Sequence, residues 1–563
     1  MYQLNGAQLI IKMLERQGID IISGIPGGAN LPLYDALHKS QVIRHILCRH
    51  EQGAGFVAQG IARSTGKAGV CFATSGPGAT NILTAIADAY LDSIPLICIT
   101  GQVPMSLIGT DAFQEVDTYG MAIPITKHNY LVRSVDELLR IVPMAFELAL
   151  SGRPGPVLID VPKDVQTATI AFSTWPEPGR RRQPEQADTI LLRAAAEMIN
   201  KASRPILCLG GGIIHGNAAV EARALIDLSS LPTTMTLMGL GALPTVHPLA
   251  LGMLGMHAAR STNLALQECD LFIAAGARFD DRATGKLVEF CPAATVIHMD
   301  IDPSEVSKLK NAHIGLVGDV KETLSSLLPF IRANERLEWR DKMGVLRQTY
   351  PMTSAEAVVP NKPFGVILEV ARLLGDDGLV ATDVGKHQMW TAQVFPFAWP
   401  RQLLTSGGLG TMGFGLPTAI GASLAFPEKT VVLFTGDGSL QMNIQELATA
   451  VEQQANVKII VMNNNSLGLV RQQQNLFYRK HYFASDFRID IDFPAIARGF
   501  GMKAYNVTGD YHLSELLARV LSEPGPCLIN VPIAKDEEVY PIVPPGAANS
   551  QMLGGSYAEK CSC

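Results

Sequence analysis

Two short apolar runs, Val431-Val432-Leu433-Phe434 and Ile459-Ile460-Val461-Met462, each lead into a polar segment, Gly436-Asp437-Gly438-Ser439 and Asn463-Asn464-Asn465. Continuous apolar runs of this length, flanked by polar residues, read as strands buried on both faces, as in a parallel sheet. Between them Ile444, Leu447, Ala448 and Val451 recur at helical spacing, which predicts a strand-helix-strand crossover. Both polar segments then fall at carboxyl ends of strands, where open α/β sheets bind ligands. Asp437 offers a carboxylate and Asn464 a carboxamide, a donor pair that suits a small hard cation such as magnesium when a diphosphate completes its shell. Gly438 permits close backbone approach, and Ser439 opens a helix whose amino end favours phosphate. An Asp-Gly turn and an Asn-rich loop are each common alone; their order and spacing between strands point to a shared site.

The chain also echoes itself. Gly152-Arg153-Pro154-Gly155-Pro156-Val157-Leu158-Ile159-Asp160-Val161-Pro162 returns near the end as Glu523-Pro524-Gly525-Pro526-Cys527-Leu528-Ile529-Asn530-Val531-Pro532. The turn Ser75-Gly76-Pro77-Gly78, after the run Val70-Cys71-Phe72-Ala73, stands to the first copy as Gly436-Asp437-Gly438 stands to the second. Shared order and spacing predict one fold used twice. A Pro, Arg, Glu and Gln-rich stretch at 173–186 reads as a linker, and a second boundary falls within 339–363, where Pro351, Pro360 and Pro363 cluster. The expected units are 1–171, 188–338 and 361–549, with a flexible tail at 550–563.

A chain of 563 residues is too long for one core. With 47% hydrophobic and 17% charged residues and a net charge of -6, it reads as a well-buried enzyme with no nucleic-acid partner. The one basic cluster, Arg180-Arg181-Arg182, is expected to be a solvated part of the linker. Nine cysteines without paired spacing argue for free thiols in a reducing, cytoplasmic setting, and no secretory signal is read at the amino terminus. The uncharged stretch 403–427 is long enough to span a bilayer, but its glycines, prolines and hydroxyl residues favour a buried turn leading into a packed helix, so no membrane partner is expected.

The Gly-Asp-Gly and Asn-Asn segments resemble the thiamine-diphosphate fingerprint, and nearly the whole chain resembles the large catalytic subunits of the acetolactate synthase, or acetohydroxyacid synthase, family. The resemblance implies an α/β architecture of three doubly wound parallel-sheet domains, a thiamine-diphosphate-binding fold in which the first and third are alike and the middle is Rossmann-like. It implies thiamine diphosphate, Mg2+ and a structural FAD, and a reaction in which pyruvate is decarboxylated and its two-carbon unit passes to a second pyruvate or to 2-oxobutanoate. Glu51, in His50-Glu51-Gln52-Gly53, becomes the carboxylate that activates the cofactor's pyrimidine; without the resemblance it reads as a surface or helix-cap residue. Asp437, Asn464 and Ser466 become metal ligands, while Gly385, His387, Gln388, Gly438 and Ser439 become diphosphate contacts. Met412 is the implied prop beneath the cofactor rings, although a Met in a Gly-rich apolar run is commonly core filler.

Arg153, His257, Arg278, Asp300 and Asp319 fall in the implied flavin-binding stretches, where acidic residues suit ribose and arginine suits pyrophosphate. As bare motifs these also fit a surface ion-pair cluster. Gln114, Lys163 and Arg282 are implied catalytic residues, with Arg282 gripping the acceptor's carboxylate, and Phe113, Met256 and Gln473 bear on substrate specificity. Many relatives carry Trp where this chain has Gln473, which predicts weak preference for 2-oxobutanoate. Family resemblance also implies a homodimer or homotetramer with sites between subunits, and a small regulatory subunit. The rival readings are a flavin-dependent pyruvate oxidase, a flavin-free catabolic synthase and a non-catalytic scaffold. Glyoxylate carboligase is disfavoured because Glu51 is present.

Overall fold

Strands such as Gly69–Ala73, Leu96–Gln102 and Val431–Gly436 are buried along their whole length, a pattern that requires helices on both faces of a parallel sheet. The computed structural model describes residues 1–554 apart from residues 185, 355, 361 and 508–512, and contains three six-stranded parallel sheets. In the first the spatial order is Arg44–Leu47, Ile21–Gly24, Gly69–Ala73, Leu96–Gln102, Pro156–Pro162, His128–Leu131. The last sheet runs Leu403–Leu404, Leu379–Thr382, Val431–Gly436, Val457–Asn463, Cys527–Pro532, Lys503–Asn506. Each sheet takes its own strands in the order 2-1-3-4-6-5, so the sequence echo is an echo of topology. The middle sheet has the order 3-2-1-4-5-6, the dinucleotide-binding arrangement with its crevice where the order reverses, beside Pro205–Leu209 and Leu271–Ala275.

The first unit is closed by an antiparallel pair, Tyr2–Asn5 with Thr169–Phe172. The expected edge of the middle unit at 338 cuts the helix Leu337–Thr349. Its buried Trp339 donates from Nε1 to the Pro205 carbonyl at 3.0 Å, so the middle unit runs on to Thr349. Two further expectations change. Arg180-Arg181-Arg182 is not simply solvated: Arg181 pairs with Asp319 at 2.7 Å and Arg182 with Glu147, because carboxylates of two units face this stretch. The tail is not loose from Ser550, since Asn549–Gln551 forms a turn and Leu553 bridges Ile542; residues 555–563, with Cys561 and Cys563, lie outside the described residues.

The first and third units meet helix against helix. Glu51–Thr65 crosses Gly415–Ala425 so closely that a Cβ on Gly60 would lie 2.1 Å from the Thr418 carbonyl oxygen, and one on Gly421 would lie 2.0 Å from that of Val57. Phe56 and Phe414 close the contact edge to face at 5.3 Å. Gly60→Ala gains about 1 kcal/mol of helix propensity. It must also displace backbone, at about 1–3 kcal/mol for overpacking. A net fall in melting temperature is therefore expected by calorimetry, and an unchanged or raised value would refute this account of the junction.

Candidate active site

The carboxyl edge of the first sheet gathers Glu51 and Gln114. His50 caps the helix Glu51–Thr65, its Nδ1 accepting from the Gln52 N–H at 3.1 Å, and this places Glu51 on the first turn. Glu51 is buried, and its Oε2 accepts from Asn81 Nδ2 at 3.0 Å. Its Oε1 lies 3.3 Å from where a Cβ on Gly78 would stand. Gly76, at φ +59°, lies against Gln114, whose Cα and Cβ stand 2.9 Å from the position of a Gly76 Cβ. The Ser75–Gly78 turn therefore has to be small on both sides. The Gln114 loop is stiffened by Glu115, which accepts from the Gly109, Thr110 and Ala112 amides and is held below the usual carboxylate range, chiefly by the Gly109 hydrogen bond. Phe113 is 88% exposed and Lys163 is also exposed, so one chain does not draw them into the same enclosure.

The corresponding edge of the third sheet gathers the predicted metal and diphosphate residues. Asp437 begins the helix Asp437–Gln441, and its carboxylate accepts from the Ser466 N–H at 3.0 Å. Ser466 Oγ in turn donates to Asn464 Oδ1 at 3.1 Å. Burial raises the Asp437 carboxyl to about 6, a penalty that a bound cation would offset. Among the described residues no group of three or more His, Cys, Asp or Glu could hold a metal. One carboxylate with carboxamide and backbone oxygens fits a hard cation whose shell is finished by phosphate.

His387 is buried and neutral, its imidazole pushed down to about 3 by burial, and its Nε2 has no protein partner. An orphaned buried nitrogen of this kind fits a ligand oxygen. Gly385 and Gly436 make room for the ring, since a Cβ on either would stand 2.6 and 3.0 Å from it. Gly438 faces Leu467, Phe487 and Met412, the Met412 Cε lying 3.6 Å from a Gly438 Cβ position. Ser439 Oγ donates to the Val384 carbonyl at 2.6 Å, and the Gln388 amide donates to Thr405 Oγ1 and the Ser406 carbonyl, so both side chains brace neighbouring loops.

The sequence reading missed four contributors here. Leu467 and Phe487 complete the apolar wall with Met412. Buried Asp383, pushed up to about 6 by burial, accepts from the Gly413 N–H at 2.8 Å and so holds the Met412 turn. Lys386 is buried and pushed down to about 8 by burial, with Nζ donating to the Glu537 carbonyl at 2.7 Å. An acidic and a basic residue straight after the apolar run Leu379–Thr382 were the available signal.

A cavity of about 600 Å³ runs from the switch point of the middle sheet to the third unit. Arg153, His257, Arg278, Asp300 and Asp319 line it, with Arg282, Met256 and Gln473 at the same cavity. Arg153 pairs with Glu305 at 2.9 Å, Asp319 caps the helix Val320–Leu327 while pairing with Arg181, and Asp300 accepts from the Asp302 N–H at 2.9 Å. Burial pushes His257 down to about 4 and raises Asp300. The overlooked run Gly210-Gly211-Gly212 packs on Gly276, where a Cβ on Gly210 would meet the Gly276 carbonyl oxygen at 2.0 Å. The volume, the arginines and the strand-end acids fit a dinucleotide.

Family profiles match along the chain: the thiamine pyrophosphate enzyme N-terminal TPP binding domain over residues 4–121, its central domain over 192–327 and its C-terminal TPP binding domain over 383–531. The chain is 56% identical over 552 residues to the acetolactate synthase isozyme 1 large subunit of Escherichia coli K12, covering 98% of each. It is 46% identical over 554 residues to the isozyme 2 large subunit of the same organism, covering 98% of this chain and 99% of the relative. The acetolactate synthase large subunit of Parasynechococcus marenigrum WH8102 is 46% identical over 563 residues, covering 98% and 91%.

Asp437→Ala should abolish the magnesium-dependent rise in melting temperature that thiamine diphosphate produces, while leaving the apo melt within a few degrees. Retention of that rise would show that the cation is held elsewhere.

Proposed function

The chain belongs to the acetolactate synthase large-subunit family of thiamine pyrophosphate enzymes, and from that premise we propose how its residues divide the work of joining two 2-ketoacids. The observation that carries the reading is the pairing of two sheets of one topology, with Glu51 at the carboxyl edge of one and Asp437 with Asn464 at that of the other. When bound, thiamine diphosphate would supply the acidic thiazolium carbon and the electron sink that decarboxylation of a 2-ketoacid needs. Glu51 holds a proton toward the pyrimidine ring through the oxygen not taken by Asn81. Asp437, Asn464 and the Ser466 segment would hold Mg2+, and His387 would meet the diphosphate as a neutral imidazole. Met412, with Leu467 and Phe487, would form the apolar wall against which the rings rest and exclude water there.

Arg282 binds the carboxylate of the acceptor, with Met256 and Gln473 forming the rest of that pocket. Glu51, Gln114, Phe113 and Lys163 of one chain complete the site that a partner copy builds around its own metal and diphosphate residues in a homodimer or homotetramer, which accounts for the exposure of Phe113 and Lys163 in one chain. FAD would be held in the middle cavity as a structural group by Arg153, His257, Arg278, Asp300 and Asp319. A small regulatory subunit and a cytoplasmic setting complete the reading; the seven cysteines among the described residues are all free and buried, and no described helix is long and apolar enough to cross a membrane.

Product analysis from pyruvate, with and without 2-oxobutanoate, on protein whose flavin has been quantified tests the reading as a whole. Acetolactate formed without oxygen or quinone reduction, at about one flavin per chain, is the expected result. Stoichiometric electron transfer would favour a pyruvate oxidase, and full activity without flavin a catabolic synthase. With equal pyruvate and 2-oxobutanoate, acetolactate should remain a major product, and Gln473→Trp should shift the product ratio toward acetohydroxybutyrate by about 10-fold or more, the worth of one well-packed methylene.

A further inference from the structure

The acceptor pocket is built by segments of two units, and one strap of the carboxyl-terminal segment ties them together. Gln472, beside Gln473 on the helix Gly468–Phe477, is its one buried residue and clasps Val539 from both sides. Its Nε2 donates to the Val539 carbonyl at 2.8 Å, and its Oε1 accepts from the Val539 N–H at 2.9 Å. Further along, the Val543 N–H donates to the Met256 carbonyl at 2.9 Å, and the Met256 N–H donates to the Arg282 carbonyl at 2.8 Å. Asn549, 1% exposed, donates from Nδ2 to the Ala283 carbonyl at 2.9 Å. The Lys286 N–H donates to the Ala547 carbonyl at 2.9 Å, and Gly285 bridges Ala548. Gly285, at φ +56°, is obligatory there, because a Cβ would stand 2.6 Å from Asn549 Oδ1.

The backbone is therefore gripped on both sides of Arg282, whose own side chain is 66% exposed and reaches Met256 Sδ at 3.7 Å. We propose that Asn549 and Gln472 are positioning residues for acceptor selection, setting the carboxylate-binding Arg282 and the wall residue Gln473 at a fixed separation through the strap 539–549. The inference rests on the reading of Arg282 as the acceptor's cation. A long arginine on a loose loop would lose much of its advantage, since a displacement near 1 Å at a binding group costs up to about 100-fold.

The test compares two acceptors for the same pyruvate-derived unit: 2-oxobutanoate, which carries a carboxylate, and benzaldehyde, which does not. Asn549→Asp keeps shape but cannot donate to the Ala283 carbonyl, and Gln472→Glu keeps the acceptor for the Val539 N–H but not the donor. Both variants, and Asn549→Ala, should lower the 2-oxobutanoate to benzaldehyde product ratio by about 10-fold to 100-fold, with benzaldehyde ligation within about twofold of the parent. Arg282→Gln is the reference. If it leaves the ratio unchanged, the reading of Arg282 fails. If it collapses the ratio while the Asn549 and Gln472 variants do not, or if these lose both products equally, the positioning proposal is overturned. Should Asn549→Ala fail to fold, the Asp and Glu variants decide the matter alone.

Discussion

A buried guanidinium holds the first and third units together. Arg63, on the helix of Glu51, donates to Asp88 at 2.8 Å, Asp92 at 2.9 Å, the Gln59 side chain and the Thr405 carbonyl, and lies over the Phe414 ring at 4.8 Å. Asp88 also accepts from Ser406 and Thr411, and Asp92 from the Gly407 and Gly408 amides, so the first unit clamps the 405–411 loop of the third. Arg401 extends the junction, donating to the Arg63 and Ile214 carbonyls and so reaching the middle unit. Charges this deep are costly unless fully paired, and burial drives Asp88 up to about 6 even so. What the cluster provides is registration: the clamped loop leads into Met412 and lines the middle cavity.

Electrostatic preorganisation marks the carboxyl edge of the third sheet. Asp437 and Asp383 are strained toward protonation by burial, His387 is held neutral, and Lys386 is buried beside the Asn464 segment. A dry site populated by such groups favours a cation and a diphosphate over water, since oriented charges act more strongly where solvent is excluded. The strap formed by residues 539–549 works differently. It spends neutral hydrogen bonds on backbone carbonyls and leaves the arginine side chain available.

Much of the architecture was legible because it is written in local periodicity. The apolar runs before Asp437 and Asn464, and the repeated Gly-Pro-strand segments, implied buried parallel strands and a duplicated unit, and the two sheets have one strand order. Arg181 was misread because a polar segment looks solvated until the carboxylate it meets is known, and Asp319 lies far along the chain from it. The tail was misread because Leu553 folds back onto Ile542. Trp339 was taken for the start of a linker because its helix is polar on most faces, with Trp339 and Met343 buried.

Strand type and the placing of Asp437 and Asn464 at carboxyl ends of strands were determined by the sequence itself, because backbone conformation and side-chain identity are properties of a few adjacent residues. Which distant groups neutralise one another was decided only by tertiary structure. The Arg63 cluster, the pairing of Arg181 with Asp319 and the clasp of Asn549 on the Arg282 loop each depend on two surfaces arriving within hydrogen-bond range, and pairing at that range has no signature in the order of residues.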